Sequence, residues 1–149
     1  MTIRFPSLGR NPASEHREEI MGRIGIVEDE AAIREAFSLL LKMNGYIVEV
    51  FDSAAAFLAD APVDTYDCLI LDMNMPSLSG VELLELLRSR HIHVPAIFVT
   101  GRPDPALHAR AGKAGACKVI AKPVSEQMLV ASIEWARAAP PGASSHARH

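Results

Sequence analysis

Asp72 closes the apolar run Cys68-Leu69-Ile70-Leu71 and is followed by Met73-Asn74-Met75-Pro76. A short apolar run bounded by a proline turn signal reads as a buried strand. An aspartate at its carboxyl end sits at the rim of a sheet, where open α/β folds bind ligands. Alone, such a residue is more often a helix cap or turn former. Three other predicted strands lead into reactive groups as well: Glu28-Asp29 after the first, Thr100 after the fourth and Lys122-Pro123 after the fifth. In a parallel sheet with right-handed crossovers these ends share one edge. Three clustered carboxylates repel unless a proton or cation intervenes, and Mg²⁺ suits a site of few carboxylates that retains several waters. Metal and lysine to offset charge, a hydroxyl to bond an oxygen and a carboxylate nucleophile are the parts that hold a transferring phosphoryl group. The chain lacks the Gly-x-x-x-x-Gly-Lys-Ser/Thr loop by which many proteins cradle nucleotides.

The elements that must position these groups alternate along the chain. Strands are predicted at Arg23 to Val27, Tyr46 to Val50, Tyr66 to Leu71, Pro95 to Val99 and Cys117 to Ala121. Between them, Ile33, Phe37, Leu40 and Leu41 recur at helical spacing until Asn44-Gly45. Ser53 caps a short helix through Phe57 and Leu58, and Ser79 caps one presenting Val81, Leu84 and Leu87. A fourth helix runs from Pro105 to Ala114, closed by Gly115, and Ser125 caps a fifth bearing Met128, Leu129, Ile133 and Trp135. Five strands alternating with five helices predict an α/β, doubly wound (βα)5 sandwich around a five-stranded parallel sheet. No 20–50 residue repeat is present, which disfavours a solenoid.

The 149 residues, 49% hydrophobic and 22% charged, suit one globular domain. The expected organisation is a flexible N-terminal extension over 1–22, a folded domain over 23–138 and a flexible tail over 139–149. Met21, just before the first strand, is a candidate start alongside Met1, and the sequence does not decide between them. The net charge of −3 hides an asymmetry: residues 23–135 hold ten basic against fifteen acidic side chains. That is no electrostatic footprint for nucleic acid, so direct binding to it is not expected. Neither an apolar membrane span nor a secretory signal is visible, and a cytoplasmic location is expected. Cys68 and Cys117 sit in apolar runs and read as buried free thiols. His91 and His93 read as a solvated loop and Trp135 as packing on the sheet.

Taken together, Ile26-Val27-Glu28-Asp29-Glu30, Leu69 to Pro76, Ser79-Gly80, Val99-Thr100-Gly101, Ala114-Gly115-Ala116 and Lys122-Pro123 resemble the receiver domain of bacterial two-component response regulators. Chemotaxis receivers and the receivers of nitrogen-fixation regulators are among its members. The match spans about residues 23–137. The resemblance implies a flavodoxin-like sheet of order 2-1-3-4-5 and a phosphorelay function, with no catalysis beyond the protein's own phosphorylation and dephosphorylation. Asp72 would accept the phosphoryl group from a sensor histidine kinase or histidine phosphotransfer protein. Asp29, Asp72 and the backbone carbonyl of Asn74 would bind Mg²⁺, with Glu28 acting through water in a place often held by Asp. Thr100 would bond a phosphoryl oxygen, Gly101 would leave room for the group, Lys122 would pair with its oxygens, and the Lys122-Pro123 bond would be cis. Output would pass to an unidentified protein target over the surface from Pro105 to Ala138, and a phosphorylation-dependent homodimer is compatible with the pattern.

Val119 departs from the family, whose switch residue three before the lysine is usually Tyr or Phe. A valine cannot swing a ring inward as Thr100 moves, so the usual coupling is in doubt. Asn74 and Arg102 flank the site where family members tune hydrolysis, which leaves the lifetime of the phosphorylated form open. Val119 and Glu28 favour an alternative, a phosphorylation-impaired pseudo-receiver, whereas intact Asp72, Thr100 and Lys122 oppose it. A dehalogenase-type phosphohydrolase would need a second acid where Asn74 stands. About a dozen residues after the last helix are too few for an effector domain, which favours a single-domain protein. The remaining alternative is the receiver fragment of a DNA-binding transcriptional regulator.

Overall fold

The computed structural model describes residues 20–138; the expected N-terminal extension up to residue 19 and the tail over 139–149 lie outside them. Strands β1 (Gly22–Val27), β2 (Tyr46–Phe51), β3 (Cys68–Asp72), β4 (Ala96–Thr100) and β5 (Lys118–Ala121) form one parallel sheet in the order 2-1-3-4-5. Helices α1 (Ala31–Met43), α2 (Ala54–Asp60), α3 (Gly80–Ser89), α4 (Pro105–Lys113) and α5 (Glu126–Ala138) make the crossovers, with a 3₁₀ turn at Val63–Thr65 before β3. The expected architecture and strand order are therefore present.

Successive side chains of a strand point to opposite faces, so one sheet needs two cores. Leu69, Leu71 and Phe98 pack on one face with Phe57 of α2, Val81, Leu84 and Leu87 of α3, and Ala111 of α4. Ile70, Ile97 and Val99 pack on the other with Phe37 and Leu41 of α1 and Leu129 and Ile133 of α5. Every residue of β3 and β4 is buried, whereas edge strands β2 and β5 are partly exposed. Each fully buried Leu or Ile contributes about 1.5–3 kcal/mol. Cys68 and Cys117 are both buried and outside any disulfide, as expected.

The caps set the helix starts that face the sheet edge. Ser53 Oγ accepts from the Ala56 N–H at 3.0 Å, and Ser125 Oγ from Met128 at 3.1 Å. Ser79 forms a reciprocal box, its Oγ accepting from the Glu82 N–H while Glu82 Oε1 accepts from the Ser79 N–H.

Three expectations need correction. The third strand begins at Cys68, not Tyr66. Tyr66 is buried because its ring stacks on Phe57, with centroids 6.2 Å apart, and its hydroxyl donates to Glu49; this burial imitates a strand residue. The fourth strand runs through Thr100 instead of ending before it, and Pro95 lies outside. Met128 is 46% exposed: the buried stripe of α5 is Leu129, Ser132, Ile133 and Ala136, and Met128 lies beside it. Trp135 is half-buried against the sheet, with the Lys118 ammonium 5.8 Å from its ring centroid.

Candidate functional site

Register brings the predicted residues together. Val27 pairs with Leu71, so Glu28 emerges level with Asp72, the last residue of β3. Thr100 ends β4 opposite Ala121, so Lys122 follows one step later. Glu28, Asp29 and Asp72 each offer a carboxylate oxygen within 4.8 Å of the others, the one such acidic or metal-ligating cluster among the described residues. Lys122 Nζ lies 3.2 Å from Glu28 Oε1 and 3.7 Å from Asp72 Oδ2.

Burial controls the charge of these groups. Glu28 is 1% exposed; desolvation, reinforced by the neighbouring Asp72 carboxylate, pushes its carboxyl up to about 7. Burial also raises Asp72, against the pull of Glu28, the Asn74 N–H and Lys122. Burial alone would lower Lys122, but Asp72, Glu28 and Glu30 together outweigh it and hold the ammonium above its ordinary value. Glu28 Oε2 accepts from the Glu30 N–H at 3.1 Å, whereas buried Oε1 has no hydrogen bond despite its closeness to Lys122. Three converging carboxylates, two of them buried and one with an orphaned oxygen, fit a hard divalent cation coordinated by oxygen.

The surrounding loops hold the acids in place. Asn74 N–H donates to Asp72 Oδ1 at 3.1 Å. Arg34, in the first turn of α1, donates from Nη1 to the carbonyls of Glu28 at 2.9 Å and Asp29 at 3.4 Å. Gly80 lies against the Asp72 main chain: a Cβ there would fall 2.2 Å from the Asp72 carbonyl oxygen. Thr100 Oγ1 lies 2.8 Å from Asn74 Oδ1 and 2.7 Å from the Arg102 carbonyl, and accepts from the Arg102 N–H at 3.2 Å. A hydroxyl has one proton, so it donates to only one of those two oxygens at a time.

Two clefts open on this edge. One is lined by Asp29, Glu30, Asp72, Asn74 and Lys122, the other by Thr100, His108, Val119, Ala121 and Lys122; both include Gly101 and Arg102. A Cβ at Gly101 would meet only Lys122 Cδ, at 3.9 Å, so this wall is open. Lys122-Pro123 is cis. Sequence reasoning did not find Arg34 or the contact of Glu30 with Lys122, since neither residue lies at a strand end. Gly80 was noted only as part of a motif, without its contact.

A doubly wound parallel sheet with a buried acidic cluster and a lysine at one edge defines a receiver-like class of protein. The sequence profile described as "Response regulator receiver domain" matches residues 24–134, and the chain belongs to that family. The transcriptional regulatory protein FixJ of Rhizobium meliloti is 41% identical over 113 residues, covering 76% of this chain and 55% of FixJ. The crystal structure of FixJ-N superposes with a TM-score of 0.71 at 40% identity, covering 77% of this chain and 92% of that one. The Vibrio cholerae chemotaxis protein CheY4 gives 0.72 at 26% identity, covering 78% and 98%. The chain spans a little over half the length of the FixJ relative. No helix among the described residues is long and apolar enough to cross a membrane.

Proposed function

We propose that this receiver is a working phosphoacceptor. Asp72 takes a phosphoryl group from a phosphohistidine of a sensor kinase or phosphotransfer protein and signals by protein–protein contact in the cytoplasm. The observation that carries this reading is the convergence of Glu28, Asp29, Asp72 and Lys122 on one sheet edge, with Thr100 on the adjoining cleft wall. A carboxylate oxygen of Asp72 attacks phosphorus, the P–N bond to the donor imidazole breaks, and the imidazole keeps that electron pair. Lys122 offsets charge on the phosphoryl oxygens, and Thr100 turns its hydroxyl from the Arg102 carbonyl to one of them. Asp29, Asp72 and the Asn74 carbonyl would hold Mg²⁺, with Glu28 behind a water. When bound, the ion supplies positive charge that offsets both the carboxylates and the phosphoryl group. Water later attacks phosphorus, releasing phosphate and restoring the Asp72 carboxylate.

Output runs over α4, β5 and α5, with Val119 in place of a ring. Incubation with acetyl phosphate and Mg²⁺ tests the reading: wild type forms an acyl phosphate and Asp72→Ala does not. Equal absence from both proteins defeats it. A second reading, the receiver portion of a transcriptional regulator, is favoured by the relatives' printed names and the partial coverage. The complete reading frame decides between them.

A further inference from the structure

Lys122 has a third acidic neighbour that none of the roles above uses. Glu30 Oε1 lies 3.5 Å from Lys122 Nζ, nearer than Asp72 Oδ2 at 3.7 Å. Glu30 occupies the N-cap position of α1, where an acidic side chain can satisfy the helix's free N–H groups, but it makes no side-chain capping bond. Its carboxylate instead reaches a residue 92 positions away. It also stands outside the cluster of Glu28, Asp29 and Asp72. A cation held by Asp29 and Asp72, with Glu28 behind a water, would weaken the pull of these acids on the ammonium and leave Glu30 as a further counter-ion.

We propose that Glu30 is a positioning residue that shares the Lys122 ammonium with Glu28 and Asp72 and draws it toward α1 until a phosphoryl group draws it off. The inference rests on the phosphoacceptor reading. Glu30 is mostly exposed, its side chain 63% accessible, so the pair is a weak one and the lysine can leave it. Loss of its charge removes a competitor for the ammonium. The expected effect of Glu30→Gln is faster phosphorylation of Asp72, by about two- to fivefold.

Two measurements on the full chain test this. The side-chain ¹⁵Nζ resonance of Lys122, recorded before phosphorylation with Mg²⁺ present, shifts in Glu30→Gln; an unmoved resonance overturns the proposal. Acyl phosphate formation from acetyl phosphate is then compared for Glu30→Gln in wild-type and Lys122→Arg backgrounds. The retained positive charge sits on a longer, planar group, so the two- to fivefold gain shrinks. An equal gain in both backgrounds marks a general field effect on an incoming anion and overturns the role through Lys122. Acyl phosphate forming at one rate in wild type and Glu30→Gln defeats only this inference. Its absence from wild type defeats the phosphoacceptor reading and this inference with it.

Discussion

Glu28 should make folding stability depend on pH, and through the acidic cluster on Mg²⁺, in a direction opposite to that of an ordinary ion-paired acid. In the unfolded chain its carboxyl titrates near 4.5, and in the fold burial and Asp72 push it up to about 7. Between these values the folded state binds more protons than the unfolded state, so stability falls as pH rises. The loss is complete above about 7 and absent below about 4.5. At 1.36 kcal/mol per pH unit the interval sets a ceiling of about 3 kcal/mol, or about 6–12 °C in Tm for a chain near 150 residues. Mg²⁺ at this cluster would favour its ionised form, so any stabilisation by the ion should grow with pH over the same window. Thermal unfolding is followed by circular dichroism at pH 5 and pH 8, with EDTA or Mg²⁺, for wild type and Glu28→Gln. The variant removes the Glu28 titration, and its difference from wild type reports the Glu28 and Asp72 carboxyls together. Wild type in EDTA should lose more Tm than Glu28→Gln between pH 5 and 8, and Mg²⁺ should restore more at pH 8 than at pH 5. Parallel pH curves for the two proteins, or an equal Mg²⁺ increment at both pH values, refute the reasoning.

Other perturbations address the scaffold. Gly80→Ala forces a Cβ against the Asp72 carbonyl at 2.2 Å and a Phe98 ring carbon at 2.9 Å, costing about 1–3 kcal/mol or more. It should also slow Asp72 phosphorylation; wild-type urea midpoint and rate together would contradict the contact. Arg34→Met removes the donor to the Glu28 and Asp29 carbonyls and should weaken Mg²⁺ binding about fivefold by calorimetry, the equivalent of roughly 1 kcal/mol. Asp104→Ala removes the acceptor for the Leu107 N–H at the start of α4, lowering stability by about 1 kcal/mol. It should leave Mg²⁺ affinity unchanged; a large affinity loss would mean that α4 and the acidic cluster are coupled.

The sequence announced the site better than its supports, and the reason is geometric. Parallel topology converts the ends of separate strands into neighbours, so Glu28, Asp29, Asp72, Thr100 and Lys122 could be placed on one edge before any distance was known. Helix starts were legible where serine capped them, at Ser53, Ser79 and Ser125, because the signal is local. Asp104 is as good a cap, but Pro105 drew the boundary instead; proline at the first helical position and the cap before it belong to one signal. Tyr66 and Met128 show the limit of hydrophobicity as a guide. One is buried outside a strand by stacking on Phe57, and the other is exposed because it lies beside the inward stripe of its helix.

What sequence could not carry is the division of one charge among several acids. Glu28, Glu30 and Asp72 are equivalent in sequence as partners for Lys122; only the distances of 3.2, 3.5 and 3.7 Å rank them. Arg34 grips the loop after β1 from a helix whose apolar residues Phe37 and Leu41 pack on the sheet. A core substitution at Leu41 that displaced α1 would carry Arg34 and Glu30 with it. Site and core thus meet along α1, which carries Phe37 and Leu41 into the core and Arg34 and its N-cap Glu30 to the acidic edge.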